Sequence, residues 1–506
     1  MPFVLPENAA AARLGQAFRS MGLSEEAVLR VLGVQDAAQA RSLPPQQRLS
    51  RTAGGTPLET VVRLFMLGVP ATADQVNAAG LGLSADEFQA SGILRPEGGQ
   101  LRATMQIFPD GDTLLFADMP QMVGNRLTAP HDIVPGPIDA TRALADVVIR
   151  RSGGTMLDLY SGCGLLALRA SAHCASVVAA DSNPRAVEFT RFNAALNGVK
   201  NITAVVSDKF GAFAGKSFDA IVANPPVVIS PERTFAYRDS GQSLDSLART
   251  VAQQSATHLA PGGTFQMLCH WAHLQLGNPW QRLAEWFVGL GTQVCIHRTG
   301  EIAPPQYAMN WIRATSYETT PQGAEKRARD WMAYYQQEGL IAVNTGFVTL
   351  LKPSAPGAPV SGAIPSDGRP PWLHIEDIRE PLMGPAGAQI DRGFRNREFL
   401  RTASDESLYG TALVPAPELR LVHEAAHSND GWRAISFAIR LGQGFTRGGP
   451  VDAWVPAMIG AMNGKATLGD AVRKVCQDAN RPEADLKPAA LEAAKRLMGF
   501  GALETV

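Results

Sequence analysis

Four short stretches of this chain have residue types and spacings suited to holding a nucleoside and presenting a nitrogen for reaction. The segment Asp158-Leu159-Tyr160-Ser161-Gly162-Cys163-Gly164 follows an apolar strand-like run and precedes a helical one. Glycines at such a turn let backbone come close to a bound cofactor. Asp181 ends the next strand-like run, about 20 residues on, where a carboxylate can accept from both hydroxyls of a ribose; Ser182 and Asn183 follow it and belong to the same candidate set. The third run ends in Asp208-Lys209-Phe210, an acid able to accept from an adenine amine beside a ring able to cover the base. The fourth ends in Asn224-Pro225-Pro226-Val227. The first two stretches alone also fit a nicotinamide-dinucleotide unit.

Three features separate these readings. Asp158 stands just before the glycine loop, where a dinucleotide site needs an uncharged residue to admit a pyrophosphate at the helix terminus. S-Adenosylmethionine is a phosphate-free cation, so an acid-rich loop suits it and repels a pyrophosphate. Asp208 with Phe210 offers an adenine pocket, and no dinucleotide fold requires Asn-Pro-Pro after the fourth strand.

With these residues in order, residues 125–353 resemble the class I S-adenosylmethionine-dependent methyltransferases of the "small domain" type, which carry an Asn-Pro-Pro-aromatic motif. That group includes release-factor glutamine methyltransferases and the adenine and guanine amino methyltransferases of nucleic acids. The segments IVPGPIDATR and PERTFAYRDSGQSLDSLART are similar to the loops before the first strand and after Asn-Pro-Pro in the glutamine-modifying branch. The resemblance implies a seven-stranded Rossmann-like sheet and S-adenosylmethionine as cofactor, held by Asp158, Tyr160, Ser161, Gly162, Cys163, Gly164, Asp181, Ser182, Asn183, Asp208, Lys209, Phe210 and Asn224.

It also implies a catalytic loop of Asn224, Pro225, Pro226 and Val227. An amide or aryl amine delocalises its lone pair and attacks a methyl group poorly until the nitrogen moves toward tetrahedral geometry. By resemblance, the Asn224 side-chain oxygen and the Pro225 carbonyl accept the two N–H hydrogens and favour the charge growing on nitrogen. The prolines hold those acceptors in advance. Val227 departs from the family pattern, which has an aromatic residue stacking on the planar acceptor there. The acceptor is therefore left open among a protein amide, an RNA amine and a small molecule, with Phe235 or Tyr237 as substitute ring faces, and a non-catalytic binding protein with a degraded methyltransferase fold is the remaining alternative. His270, ending the fifth strand-like run, could face the acceptor, although such a histidine is more often structural.

These residues must be positioned by the runs TMLDLY, SVVAAD, NITAVVSD, FDAIVANPP and GGTFQMLCH, which alternate with helical segments as in an open parallel α/β sheet. TQVCIHRT and AVNTGFVTLLKP, with GAEKRARDWMAYYQQEG between them, close it. Residues 1–124 read as a helical, winged-helix-like domain, with capping-box spacing at Thr72/Gln75 and Ser84/Glu87 and a hairpin at GILRPEGGQLRATMQIF. Its acid-leaning charge favours packing or protein docking over nucleic acid. Residues 354–371, rich in Pro, Gly and Ser, read as a linker, and 372–506 as a C-terminal α+β domain.

A net charge of −1, 45% hydrophobic residues and the absence of a long apolar run or basic-apolar leader point to a cytoplasmic protein with no membrane partner. Its oligomeric state is not legible. The five cysteines form no CxxC pair, and no metal is expected. His423-Glu424-Ala425-Ala426-His427 matches a zinc signature that works only on a helix. The alternation of LRLVHEAAHS, followed by Asn429-Asp430-Gly431, reads instead as one arm of a hairpin.

Overall fold

The apolar runs that alternate with helices come together as one sheet. In the computed structural model, residues 8–119, 121–123, 126–128, 132–314, 321–354, 364, 370–429 and 431–506 are described. The sheet strands are β1 (Thr155–Leu159), β2 (Ser176–Asp181), β3 (Ile202–Val206), β4 (Phe218–Ala223), β5 (Leu259–Leu274), β6 (Gln293–Ile302), β7 (Leu340–Leu351) and β8 (Leu373–Asp377). Their order is β8-β6-β7-β5-β4-β1-β2-β3. β1 to β5 run parallel, and β7 is antiparallel to both β5 and β6. The α/β class is as expected, with one strand more than seven. β8 comes from the segment assigned to the third domain and lies beside β6, where Val294 N–H donates to the Trp372 carbonyl at 2.8 Å. It covers an edge that seven strands would leave open.

The strands are buried because both faces carry helices, which is why they read as continuous apolar runs. The helices that bear on the site are α1 (Asn8–Ser20), α2 (Asp139–Val147), α3 (Leu165–Ser171), α4 (Pro184–Leu196), α5 (Ser246–Thr257), α6 (Pro304–Ala314) and α7 (Pro321–Gln337).

The chain divides into two compact units, residues 1–142 with 151–376 and residues 143–150 with 377–506. The boundary expected at residue 124 does not separate two cores, since one apolar cluster runs from Ala11 to Leu196. The capping boxes at Thr72/Gln75 and Ser84/Glu87 both form, as does the hairpin Leu94–Glu97/Gln100–Ala103, which turns at Gly98-Gly99 with φ 57° and 79°. A second hairpin, Met105–Asp110/Thr113–Asp118, is tied to α4 by side-chain amides acting as a ladder. Asn193 accepts from Phe116 N–H and donates to the Phe116 carbonyl, each at 2.8 Å, and Asn197 does the same at Leu114, at 3.0 and 2.7 Å.

The second unit is built around α8 (Gly387–Thr402), α9 (Leu468–Asp478) and α10 (Glu483–Gly499). Leu419–Ser428 and Gly431–Leu441 pair as an antiparallel hairpin that sets His423 opposite Phe437 and His427 opposite Trp432. Four residues along a strand span about 13 Å, too far for one shared ion. Most of the expected linker lies outside the described residues. Among the described residues, no helix is long and apolar enough to cross a membrane.

Candidate active site

Parallel strands end on one side of the sheet, and the loops leaving them enclose a cavity of about 380 Å³. The first wall is the loop from β1 into α3. Tyr160 takes a positive φ of 64°, unusual for a side chain with a Cβ, and Gly162 follows at 53°. Asp181, at the end of β2, fixes this loop by accepting from Gly162 N–H at 3.0 Å through one oxygen. Its other oxygen accepts from Asn183 N–H at 2.9 Å. Burial raises the Asp181 pKa, and these backbone donors oppose the rise. Tyr160, Ser161, Gly162, Cys163, Asp181, Ser182 and Asn183 all line the cavity. Burial pushes the Cys163 thiol up to about 12, so it stays protonated.

The opposite wall is Asn224, Pro225, Pro226 and Val227, leaving β4. Asn224 Nδ2 donates to Thr141 Oγ1 at 3.0 Å, which turns the amide oxygen away from α2. The following loop is pinned by a buried charge network. Arg238 bonds Asp239 at 2.8 Å and Glu232 at 2.5 Å, while Arg327 and the Trp331 indole also donate to Glu232, at 2.9 and 2.8 Å. Burial opposes ionisation of Glu232, but Arg327, Trp331 and Arg238 together hold it below the usual carboxylate range.

Five expected site residues do not reach the cavity. Asp158 is fully buried behind the loop, its Oδ2 accepting from Ala167 N–H at 2.9 Å and its Oδ1 without a hydrogen-bond partner. Burial, and then the charge of Asp181, push its pKa up to about 8. Gly164 caps α3 with φ 89°, and a Cβ there would lie 3.0 Å from Thr190 Oγ1, so its role is close packing on α4. Asp208 is turned to solvent and pairs with Lys209 at 2.7 Å. Phe210 is drawn inward and stacks on His258, with centroids 4.7 Å apart. The cause is a tight turn in which Ser207 Oγ donates to the Lys209 carbonyl at 2.9 Å and accepts from Ala212 N–H at 3.1 Å.

Of the substitute aromatics, Tyr237 lines the cavity and Phe235 does not. Sequence reasoning marked the segment 133–142 as a family-like loop without giving its apolar strip 133–138 or Thr141 a place in the site, and it missed Trp311; all of these also line the cavity. Trp311 comes from α6, far along the chain and with no local motif. His270 does face the cavity. β4 and β5 pair Ala223 with Met267, which sets His270 level with the Asn224-Pro225-Pro226 turn.

Parts of the chain are similar to known proteins. Residues 136–279 match the family model "Methyltransferase small domain", and residues 20–104 match a "Domain of unknown function (DUF7059)". The release factor glutamine methyltransferase of Thermodesulfovibrio yellowstonii is 33% identical over 108 residues, covering 20% of this chain and 38% of the relative. That of Xylella fastidiosa strain Temecula1 is 28% identical over 184 residues, covering 33% and 61%. The 23S rRNA (uracil(1939)-C(5))-methyltransferase RlmD of Legionella pneumophila strain Paris is 23% identical over 212 residues, covering 38% and 47%. The chain thus spans 38% to 61% of the length of these relatives. Among solved structures, a putative methyltransferase from Bacillus halodurans is 14% identical with a TM-score of 0.29, covering 42% of this chain and 99% of the other. The chain therefore carries a class I S-adenosylmethionine-dependent methyltransferase domain of the small-domain type, with residues 136–279 as its matched part.

Proposed function

We propose that this protein transfers the methyl group of S-adenosylmethionine to the planar nitrogen of an amide or amino group. Its acceptor is a protein or a nucleic acid, RNA rather than DNA, and it works in the cytoplasm. The observation that carries this reading is that Asp181 and Asn224 line one cavity, at the ends of β2 and β4 on either side of β1 and its Tyr160–Gly162 turn.

The donor set suits the cofactor. Gly162 N–H and Asn183 N–H reach different Asp181 oxygens, and a carboxylate has about four lone-pair sites, so acceptor capacity remains for the ribose hydroxyls. Among the described lining residues the only cation is Arg238, and it is engaged by Asp239 and Glu232, which fits a ligand without phosphate. When bound, S-adenosylmethionine supplies an electrophilic methyl group on a sulfonium. Asn224 Oδ1 and the Pro225 carbonyl hold the acceptor N–H groups and stabilise positive charge developing on nitrogen. Thr141 and the two prolines keep those acceptors fixed. No strong base is needed before transfer, because the proton can leave afterwards. A biosynthetic methyltransferase acting on a small molecule is the second reading, supported by Val227 and by a wall with no unengaged cation among the described residues.

Calorimetry of the full chain with S-adenosylmethionine tests the cofactor site. Asp181→Ala should weaken binding tenfold or more, since hydrogen bonds to a charged group are worth about 1.5–3 kcal/mol each. Asn224→Ala should leave affinity within about threefold and cut transfer of labelled methyl groups about 100-fold. The label is followed into the protein, RNA and small-molecule fractions of a cell extract. Absence of cofactor binding would overturn the enzymatic reading, and unchanged affinity in Asp181→Ala would remove Asp181 from the ribose site.

A further inference from the structure

His270 is a titratable cavity residue for which the transfer step above has no use. Its ring is half-buried within β5, and Nδ1 lies 2.7 Å from the Tyr307 hydroxyl. The donors around that hydroxyl assign the ring proton. The Tyr307 oxygen receives Ile229 N–H at 3.2 Å and also the Trp311 side chain, and both of these groups can only donate. The phenolic proton is left to point at Nδ1, which must then be a bare acceptor. Burial raises the Tyr307 pKa, so the phenol keeps its proton, and burial lowers that of His270 to about 4, so the ring is neutral at pH 7. A neutral imidazole with a bare Nδ1 carries its hydrogen on Nε2. Among the described residues no group hydrogen-bonds Nε2.

We propose that His270 reads the methyl acceptor by donating its Nε2–H to a lone-pair oxygen on the carbon that bears the reacting nitrogen, with Tyr307 and Trp311 fixing the tautomer. This rests on the methyltransferase reading above, in which Asn224 Oδ1 and the Pro225 carbonyl take the N–H groups. A primary carboxamide satisfies both walls, with its NH2 on Asn224 and Pro225 and its oxygen on His270. A carboxylate would set an oxygen against two carbonyl-type acceptors. An alkyl amine has nothing for Nε2–H to bond, and the donor would be left unpaired. A nucleotide would also bring a phosphate to a wall whose only cation, among the described residues, is already engaged. The acceptor class this favours is a carboxamide side chain on a protein.

The test uses the full chain carrying 15N-labelled histidine and saturated with S-adenosylhomocysteine. The protein has nine histidines, and the His270 signals are assigned as those missing from His270→Gln. At pH 7 the expected pattern is a protonated Nε2 and a bare Nδ1, and Tyr307→Phe, which removes only a hydroxyl, should erase that bias. Propionamide should shift the His270 Nε2 signal saturably, with propionate and propylamine at least fivefold weaker. His270→Leu should lose propionamide binding and His270→Gln should recover part of it, both with S-adenosylhomocysteine affinity intact. A proton on Nδ1, or equal responses to the three probes in a sample that binds S-adenosylhomocysteine, overturns the role of His270 and leaves the methyltransferase reading standing. Failure of the wild-type chain to bind S-adenosylhomocysteine overturns both.

Discussion

Replacing Asp158 with Asn should change how the stability of the first unit depends on pH. Asp158 is buried, and its pKa in the folded chain is pushed up to about 8 from an ordinary value of 3.8. Between those values the folded protein holds a proton there and the unfolded chain does not. Stability therefore falls as pH rises through this window, by up to about 1.4 kcal/mol per pH unit. Asparagine cannot titrate, and its side-chain oxygen can still accept from Ala167 N–H. Any pH-independent offset from placing an NH2 where Oδ1 has no partner cancels when one pH is compared with another. From pH 5 to pH 7, the stability of Asp158→Asn relative to the wild type should rise by about 3 kcal/mol. Urea unfolding followed by tryptophan emission reads this, because Trp271, Trp286 and Trp331 are buried in the same unit. Parallel stability curves for the two proteins across that range would show that Asp158 is ionised in the folded state, and the argument from its burial would fail.

Two further substitutions test the framework that shapes the loop. Gly164→Ala imposes φ 89° on a residue with a Cβ and sets that Cβ 3.0 Å from Thr190 Oγ1, so a loss of about 2 kcal/mol is expected in urea unfolding. Asn193→Ala removes a buried amide that bonds Phe116 twice and donates to the Cys163 carbonyl at 2.8 Å, leaving backbone groups unsatisfied. The unfolding midpoint should fall by the equivalent of about 3 kcal/mol or more, and a loss under 1 kcal/mol would show that water replaces it.

The sheet was legible because strands buried on both faces announce themselves as apolar runs, and their ends located the Asp181 and Asn224 walls. What the run does not tell is which way an acid points. Asp158 and Asp208 are the same residue type near the ends of parallel strands, yet Asp158, still within β1, is sealed behind the glycine turn, and Asp208, two residues past β3, faces solvent. The difference arises in the turns themselves, where Ala167 N–H captures Asp158 and the Ser207 hydroxyl reverses the chain after β3. α8 escaped notice for a related reason. Its buried positions include Gln389, Arg392 and Asn396, so it shows no apolar stripe. Arg392 donates to the Gly501 carbonyl at 2.8 Å and pairs with Glu418, contacts that no local pattern foretells.

Position 227 shows most clearly how a motif and a site can diverge. A valine there removes the ring that sequence reasoning expects against a planar acceptor, and taken alone it argues for a different substrate class. The cavity nevertheless has aromatic walls, Tyr237 from the loop after Asn-Pro-Pro and Trp311 from α6. Trp311 is held in place by the hydroxyl that orients His270, and the His270 and Tyr307 rings meet edge to face at 5.6 Å. A ring supplied from a helix can approach the acceptor from a different side than one standing next to Pro226, while the Asn224 and Pro225 acceptors stay where they are. On the proposed reading, the missing aromatic at 227 bears on the shape of the acceptor that fits beside Asn224, and not on whether its nitrogen can be held for methylation.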